Sequence, residues 1–128
     1  MKNRIVTITT DFGISDSYVA QVKGVILSAF PETVLVDVTH QIPPQDITRA
    51  AFIVNTFVKY YPKNSIHLAV VDPGVGEGQK LLIETEEGTV FVGPDNGIFT
   101  LVLQEMKIKN IINIDTQIED MSMTFHGR

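Results

Sequence analysis

The chain has 128 residues, 44% hydrophobic and 20% charged, with a formal net charge of −5 and no cysteine. That is the composition of one ordinary globular domain, and it excludes a disulfide scaffold and a zinc–thiolate site. The basic residues are scattered, so neither nucleic acid nor an anionic membrane is an expected partner, and no apolar run approaches the roughly 20 residues of a membrane span.

Met1 to Ile5 lead straight into a strand-like pattern, which leaves no room for a signal peptide and makes the cytoplasm the expected location. Ile5-Val6-Thr7-Ile8-Thr9 is short and β-branched and predicts a buried strand. Asp11-Phe12-Gly13 breaks it. A helix is predicted from Asp16 to Phe30, with Tyr18, Val19, Val22, Val25, Ile26, Ala29 and Phe30 on one face, Ser15 or Asp16 as cap and Pro31 as stop. Val34 to Val38 reads as a second strand, and Gln41-Ile42-Pro43-Pro44 as a rigid connection. A second helix is predicted from Asp46 to Tyr61, ended by Pro62, and a third strand from Ile66 to Val71. This β-α-β-α-β order predicts a parallel sheet with right-handed crossovers and helices flanking it in three layers. Further on, Lys80 to Glu84 and Thr89 to Val92 predict a hairpin, Gly97 to Glu105 a helix and Asn110 to Ile114 a short strand.

In open α/β sheets, ligands bind beyond the carboxyl ends of the parallel strands. The three strand ends here carry Asp11, His40 and Asp72, which topology brings to one rim. Asp11, next to Gly13 in a sharp turn, suits either the hydroxyls of a vicinal diol or the cap of its own turn. Asp72-Pro73-Gly74-Val75-Gly76 lacks the lysine of a phosphate loop and puts an acid where phosphate would be repelled. Taken alone, it reads as a Pro-Gly turn into the hairpin. Asn96 in Pro94-Asp95-Asn96-Gly97 reads as a turn and capping residue. His67, inside a strand, reads as a packed or surface histidine. The residues leave the roles of His40 and His126 open, and no His/Asp/Glu cluster has metal-ligand spacing.

In succession, Thr9-Thr10-Asp11-Phe12-Gly13, Asp16-Ser17-Tyr18-Val19, Lys23-Gly24, Val38-Thr39-His40-Gln41-Ile42-Pro43-Pro44-Gln45-Asp46, Val70 to Gly76, Pro94 to Gly97 and Thr124-Phe125-His126-Gly127-Arg128 resemble one family. It is the S-adenosylmethionine hydroxide adenosyltransferases (S-adenosylmethionine hydrolases), relatives of the fluorinases and chlorinases. The resemblance implies an N-terminal α/β domain, here residues 1–128, followed in relatives by a β-rich C-terminal domain. It also implies a homotrimer when that second domain is present, with substrate held between subunits. The implied reaction is attack of water or hydroxide on the 5′ carbon of S-adenosylmethionine, releasing adenosine and methionine, with no cofactor and no metal. By resemblance, Asp72 and His126 belong to an Asp-Arg-His set that handles the water. Asp11, Phe12, Asp16 and Asn96 bind substrate, Asp11 at the ribose hydroxyls and Asp16 near the methionine end.

Two departures from the family's pattern stand out. The arginine position after Asp-Pro-Gly-Val-Gly is Gln79, a neutral side chain. Lys80 is adjacent and cationic, but successive side chains on a strand face opposite ways. The β-rich domain is missing from this sequence, which is therefore expected to be a truncated N-terminal domain. Two alternatives to hydrolysis accordingly stand: an impaired module that binds adenosine or S-adenosylmethionine, and a lyase acting on the same substrate.

Overall fold

The computed structural model describes residues 4–73 and 78–114. Its elements are β1 (Ile5–Thr10), α1 (Tyr18–Ala29), β2 (Val34–Thr39), α2 (Ile47–Phe57) with a single 3-10 turn at Val58–Tyr60, β3 (Ile66–Val70), β4 (Lys80–Thr85), β5 (Val90–Pro94), α3 (Thr100–Leu103) and β6 (Ile108–Asn113). The strands form one six-stranded sheet in the order β2-β1-β3-β5-β4-β6.

The β-α-β-α-β half forms as its periodicity dictates. β1 pairs in parallel with both β2 and β3, and β3 pairs in parallel with β5. The hairpin expected at Lys80–Glu84 and Thr89–Val92 forms, so the complete sheet is mixed: β4 runs antiparallel to both β5 and β6. The cause is local: Glu86 to Thr89 is too short for a crossover, and strands joined by so short a loop must be antiparallel.

The helices are shorter than predicted, each for a visible reason. α2 ends at Phe57 and tightens into the 3-10 turn, because Pro62 forces Tyr61 out of helical geometry, to φ −100 and ψ 155. α1 begins at Tyr18 with Ser17 as its cap position, without a side-chain capping bond. The Asp16 carboxylate takes the adjacent Ser17 N–H instead. The helix predicted over Gly97–Glu105 shrinks to the four residues of α3. Gly97 sits at φ +91, a left-handed turn that helical geometry cannot continue through.

The main core lies where α2 and α3 cover the sheet, with Ala50, Val54, Val58, Ala69, Val71, Ile83, Phe91, Ile98, Phe99 and Val102 buried together. Gly93 makes this packing possible. A Cβ there would stand 2.5 Å from the Ala69 carbonyl oxygen and 2.9 Å from a Phe99 ring carbon. α1 buries no residue completely and leaves Val25, Leu27 and Phe30 exposed. No helix among the described residues is long and apolar enough to cross a membrane.

Candidate active site

The chain leaves β1 for β2 on one side, then crosses back to place β3 on the other. That reversal opens a crevice beyond the carboxyl ends of β1 and β3. A cavity of about 300 Å³ occupies it, lined by Asp11, Phe12, Pro44, Gln45, Val70, Asp72 and Pro73. β1, β2 and β3 thus each contribute an exit loop to the lining, as the strand order requires.

Asp11 reaches out of its own turn. Its Oδ2 accepts the backbone N–H of Gln45 at 2.8 Å, across from the β2 exit loop. Gln45 holds a left-handed φ of 64 to present that N–H, a strained conformation of the kind concentrated at functional sites. The β1 and β2 exits are further laced by Gly13 N–H to the His40 carbonyl at 2.7 Å and Ile42 N–H to the Thr10 carbonyl.

Asp72 sits at the other wall, its side chain 7% exposed. Lys80 Nζ lies 3.6 Å from its Oδ2. Gln79, at the expected arginine position, is exposed, and its carbonyl accepts the Asp95 N–H at 2.9 Å. The cation that reaches Asp72 therefore comes from the neighbour, Lys80. Gln79 lies just before β4, and Lys80, the first residue of that strand, stands on the Asp72 side. Asn96 reaches the same strand end differently. Its Nδ2 donates to the Val71 carbonyl at 2.9 Å and its Oδ1 accepts the Ile98 N–H, which pins the β5 exit to the residue before Asp72.

Of the remaining candidates, Phe12 belongs to the cavity and Asp16 stands apart. Asp16 is exposed, holds the Ser17 N–H and does not line the cavity. The Phe12 ring lines the cavity and packs against Tyr18 with centroids 6.0 Å apart. His126, and the Gly74–Gly76 part of the loop after Asp72, lie outside the described residues. His67 is buried among Phe57, Tyr61 and Phe91, with Nδ1 2.7 Å from Thr7 Oγ1. Burial pushes its pKa down to about 4. It is a packed core histidine. His40 is also buried, between Thr10 and Asp37. Burial works to raise the Asp37 pKa, but hydrogen bonds from Lys23 and His40 outweigh it and hold the carboxyl below its ordinary value. Among the described residues, no cluster of three or more His, Asp or Glu could hold a metal ion.

Sequence reasoning raised Lys80 but weighed strand alternation against it, and it missed the wall formed by Pro44 and Gln45. The Pro-Pro stretch was a signal for the latter, since a rigid connection after β2 must run across the sheet's edge. The result is a cavity with two carboxylates, a hydrophobic ring and one ammonium at its margin. Such a site suits a ligand that is cationic and carries hydroxyl groups.

Residues 6–128 match the family described as the SAM hydroxide adenosyltransferase N-terminal domain. An (R)-S-adenosyl-L-methionine hydrolase of Methanocaldococcus jannaschii is 43% identical over 129 residues, covering 97% of this chain and 49% of the relative. A fluorinase of Actinoplanes is more distant, 25% identical over 126 residues, covering 80% of this chain and 42% of its own. The crystal structure of an uncharacterized conserved protein from Thermotoga maritima superposes with a TM-score of 0.88 at 32% identity, covering 96% of this chain and 49% of that one. The chain spans about half the length of the curated relatives it matches.

Proposed function

The chain belongs to the SAM hydroxide adenosyltransferase family, and from that premise we propose that it is the N-terminal half of an enzyme that hydrolyses S-adenosylmethionine to adenosine and methionine. The observation that carries the proposal is the pairing of Asp11 and Asp72 across one cavity at the switch point of the sheet. A ribose diol and a sulfonium ion are what such a pair would hold.

The chemistry follows from the leaving group. Displacement at the 5′ carbon breaks the carbon–sulfur bond, and the sulfur leaves as a neutral thioether with the electron pair. It needs no acid. The nucleophile is the difficulty, because bulk water has a pKa of about 15.7. As water attacks, its oxygen bonds to the 5′ carbon and its proton passes to a base. Asp72 is the proposed acceptor, with His126 sharing that task as the resemblance implies. Lys80, 3.6 Å from Asp72, places a cation beside the carboxylate proposed as the base. Asp11, with Oδ2 engaged by Gln45, keeps Oδ1 for a ribose hydroxyl. A halide nucleophile is disfavoured at this position: two like charges about 4 Å apart oppose each other by about 4 kcal/mol at an effective dielectric near 20. A homotrimer closed by a second domain, and a cytoplasmic location, belong to the same proposal.

The test is release of adenosine and methionine from S-adenosylmethionine, quantified by chromatography. Asp72→Asn should lower kcat by about 10²-fold or more. Full turnover in that variant would refute the role. Gln79 at the arginine position favours one competing reading, binding without turnover. Calorimetry with adenosine beside the turnover assay separates the two, since binding with no product would support the module. Mass spectrometry of the products distinguishes water attack from a lyase outcome.

A further inference from the structure

His40 lies outside the cavity lining, yet it is bonded to residues on both sides of Asp11, Thr10 and Gly13. Its Nε2 is 2.6 Å from Asp37 Oδ1, and Lys23 Nζ is 2.6 Å from the other oxygen of that carboxylate. Its Nδ1 is 2.8 Å from Thr10 Oγ1. Thr10 Oγ1 in turn accepts the Phe12 N–H at 3.2 Å, and the His40 carbonyl accepts the Gly13 N–H at 2.7 Å. Thr10 is 1% exposed and His40 9%.

With the imidazole neutral, the donors and acceptors in this chain admit one consistent order. An ionised carboxylate only accepts, so Nε2 must carry the proton that lies between His40 and Asp37. The second nitrogen of a neutral imidazole is then an acceptor, and the Thr10 hydroxyl donates to it. That leaves the Thr10 lone pairs facing the Phe12 N–H. The direction runs from the Phe12 amide through Thr10 and His40 to Asp37, which Lys23 balances. Both amides after Asp11 therefore end on His40, one directly and one through Thr10. Gly13, at φ +78, is the hinge they fix.

We propose that His40 is a positioning residue. Through Thr10 and its own carbonyl it sets the Asp11-Phe12-Gly13 turn, and thereby the aim of the Asp11 carboxylate at the two hydroxyls of a ribose. This rests on the reading of Asp11 as the diol-binding acid. The consequence is selectivity rather than bare affinity: a misaimed carboxylate still attracts a ligand but no longer distinguishes a ribose from a 2′-deoxyribose.

The experiment measures adenosine and 2′-deoxyadenosine affinities by calorimetry for the unmodified chain, His40→Ala and Thr10→Val. A charge-assisted hydrogen bond to the 2′-hydroxyl predicts about a tenfold preference for adenosine in the unmodified chain. In both variants the preference should fall below about twofold. A preference that survives while both affinities drop together would overturn the proposal, because a merely structural residue acts on both ligands alike. Nitrogen NMR of the unmodified chain adds a readout independent of ligand. A neutral His40 ring protonated at Nε2 is expected, and protonation at Nδ1 instead would overturn the proposed order. If the unmodified chain binds both nucleosides equally, the diol reading of Asp11 fails, and hydrogen exchange at Phe12 and Gly13 still judges the positioning role. Faster exchange in Thr10→Val supports it; unchanged exchange overturns it.

Discussion

Acid should unfold this domain in a window set by a residue far from the cavity. His67 is 2% exposed and packed against three rings. Burial lowers its pKa from 6.5 to about 4. The fold therefore holds the neutral ring, whereas the unfolded chain takes up a proton near 6.5. Between those values the unfolded state binds the extra proton, so stability falls as pH falls. The contribution is fully present above the unfolded pKa and is lost as pH drops towards about 4. Linkage over that interval gives a loss of about 2 kcal/mol at about pH 5 and about 3 kcal/mol at about pH 4. Urea unfolding across that range measures it. Other groups titrate too, so the comparison is with Thr7→Val/His67→Phe, which replaces both hydrogen-bonded partners with apolar groups in one step. The double variant should be flatter by about 2 kcal/mol between about pH 7 and pH 5. Parallel profiles for the two proteins would refute the reasoning, because His67 would then be protonated in the fold.

Three further perturbations follow from contacts described above. Gly93→Ala forces a methyl onto the Ala69 carbonyl at 2.5 Å, and backbone cannot move aside as a flexible side chain can. It should cost about 2–3 kcal/mol in urea unfolding. Lys80→Met leaves the 7% exposed Asp72 side chain beside an apolar chain, and should lower stability by about 1–3 kcal/mol and the kcat of any hydrolysis more than it changes KM. Asp37→Asn removes the charge from two hydrogen bonds. Its carboxyl is partly solvated, so the loss at neutral pH should be about 1 kcal/mol. Because the fold holds Asp37 ionised below its ordinary pKa of 3.8, its contribution is present above that value and disappears below it. The stability profiles of Asp37→Asn and the unmodified chain should converge in strong acid.

The parallel half of the fold was legible because its signals are local. Val6 and Ile8 form a short buried strand, and Ala50, Ala51 and Val54 recur at helical spacing on the buried face of α2. Strand type after β3 was less legible. Lys80–Thr85 and Val90–Pro94 pair as the expected hairpin, yet nothing within either segment says that β5 also docks in parallel on β3. That pairing is a contact between residues distant in sequence. The predicted helix after Gly97 is shortened for the opposite reason. Apolar spacing over Ile98 to Leu103 fits a helix throughout, but only Thr100–Leu103 is helical, and Ile98 and Phe99 are apolar because they face the core from the turn before it. Spacing records burial, and burial is common to both.

The candidate site divides along the same line. That Asp11 and Asp72 meet follows from strand order, because acids at the exits of neighbouring parallel strands must share a rim. Which residue stands beside Asp72 does not follow from strand order. Alternation says which residues of β4 share a face, but not which face meets the cavity. The phase is set where β4 docks, with Lys80 opposite Pro94 and Leu81 opposite Gly93. Gly93 is the position that tolerates no Cβ, so β5 can seat against β3 and Phe99 at this depth only with glycine there. The packing that fixes β5 thereby fixes β4, and β4 turns Lys80 towards Asp72. An ammonium is a compact charge without the two-pronged geometry of a guanidinium. At 3.6 Å it balances the carboxylate but does little to orient it. Orientation must come from backbone, and the Asn96 amide bound to the Val71 carbonyl holds the strand end from which Asp72 projects.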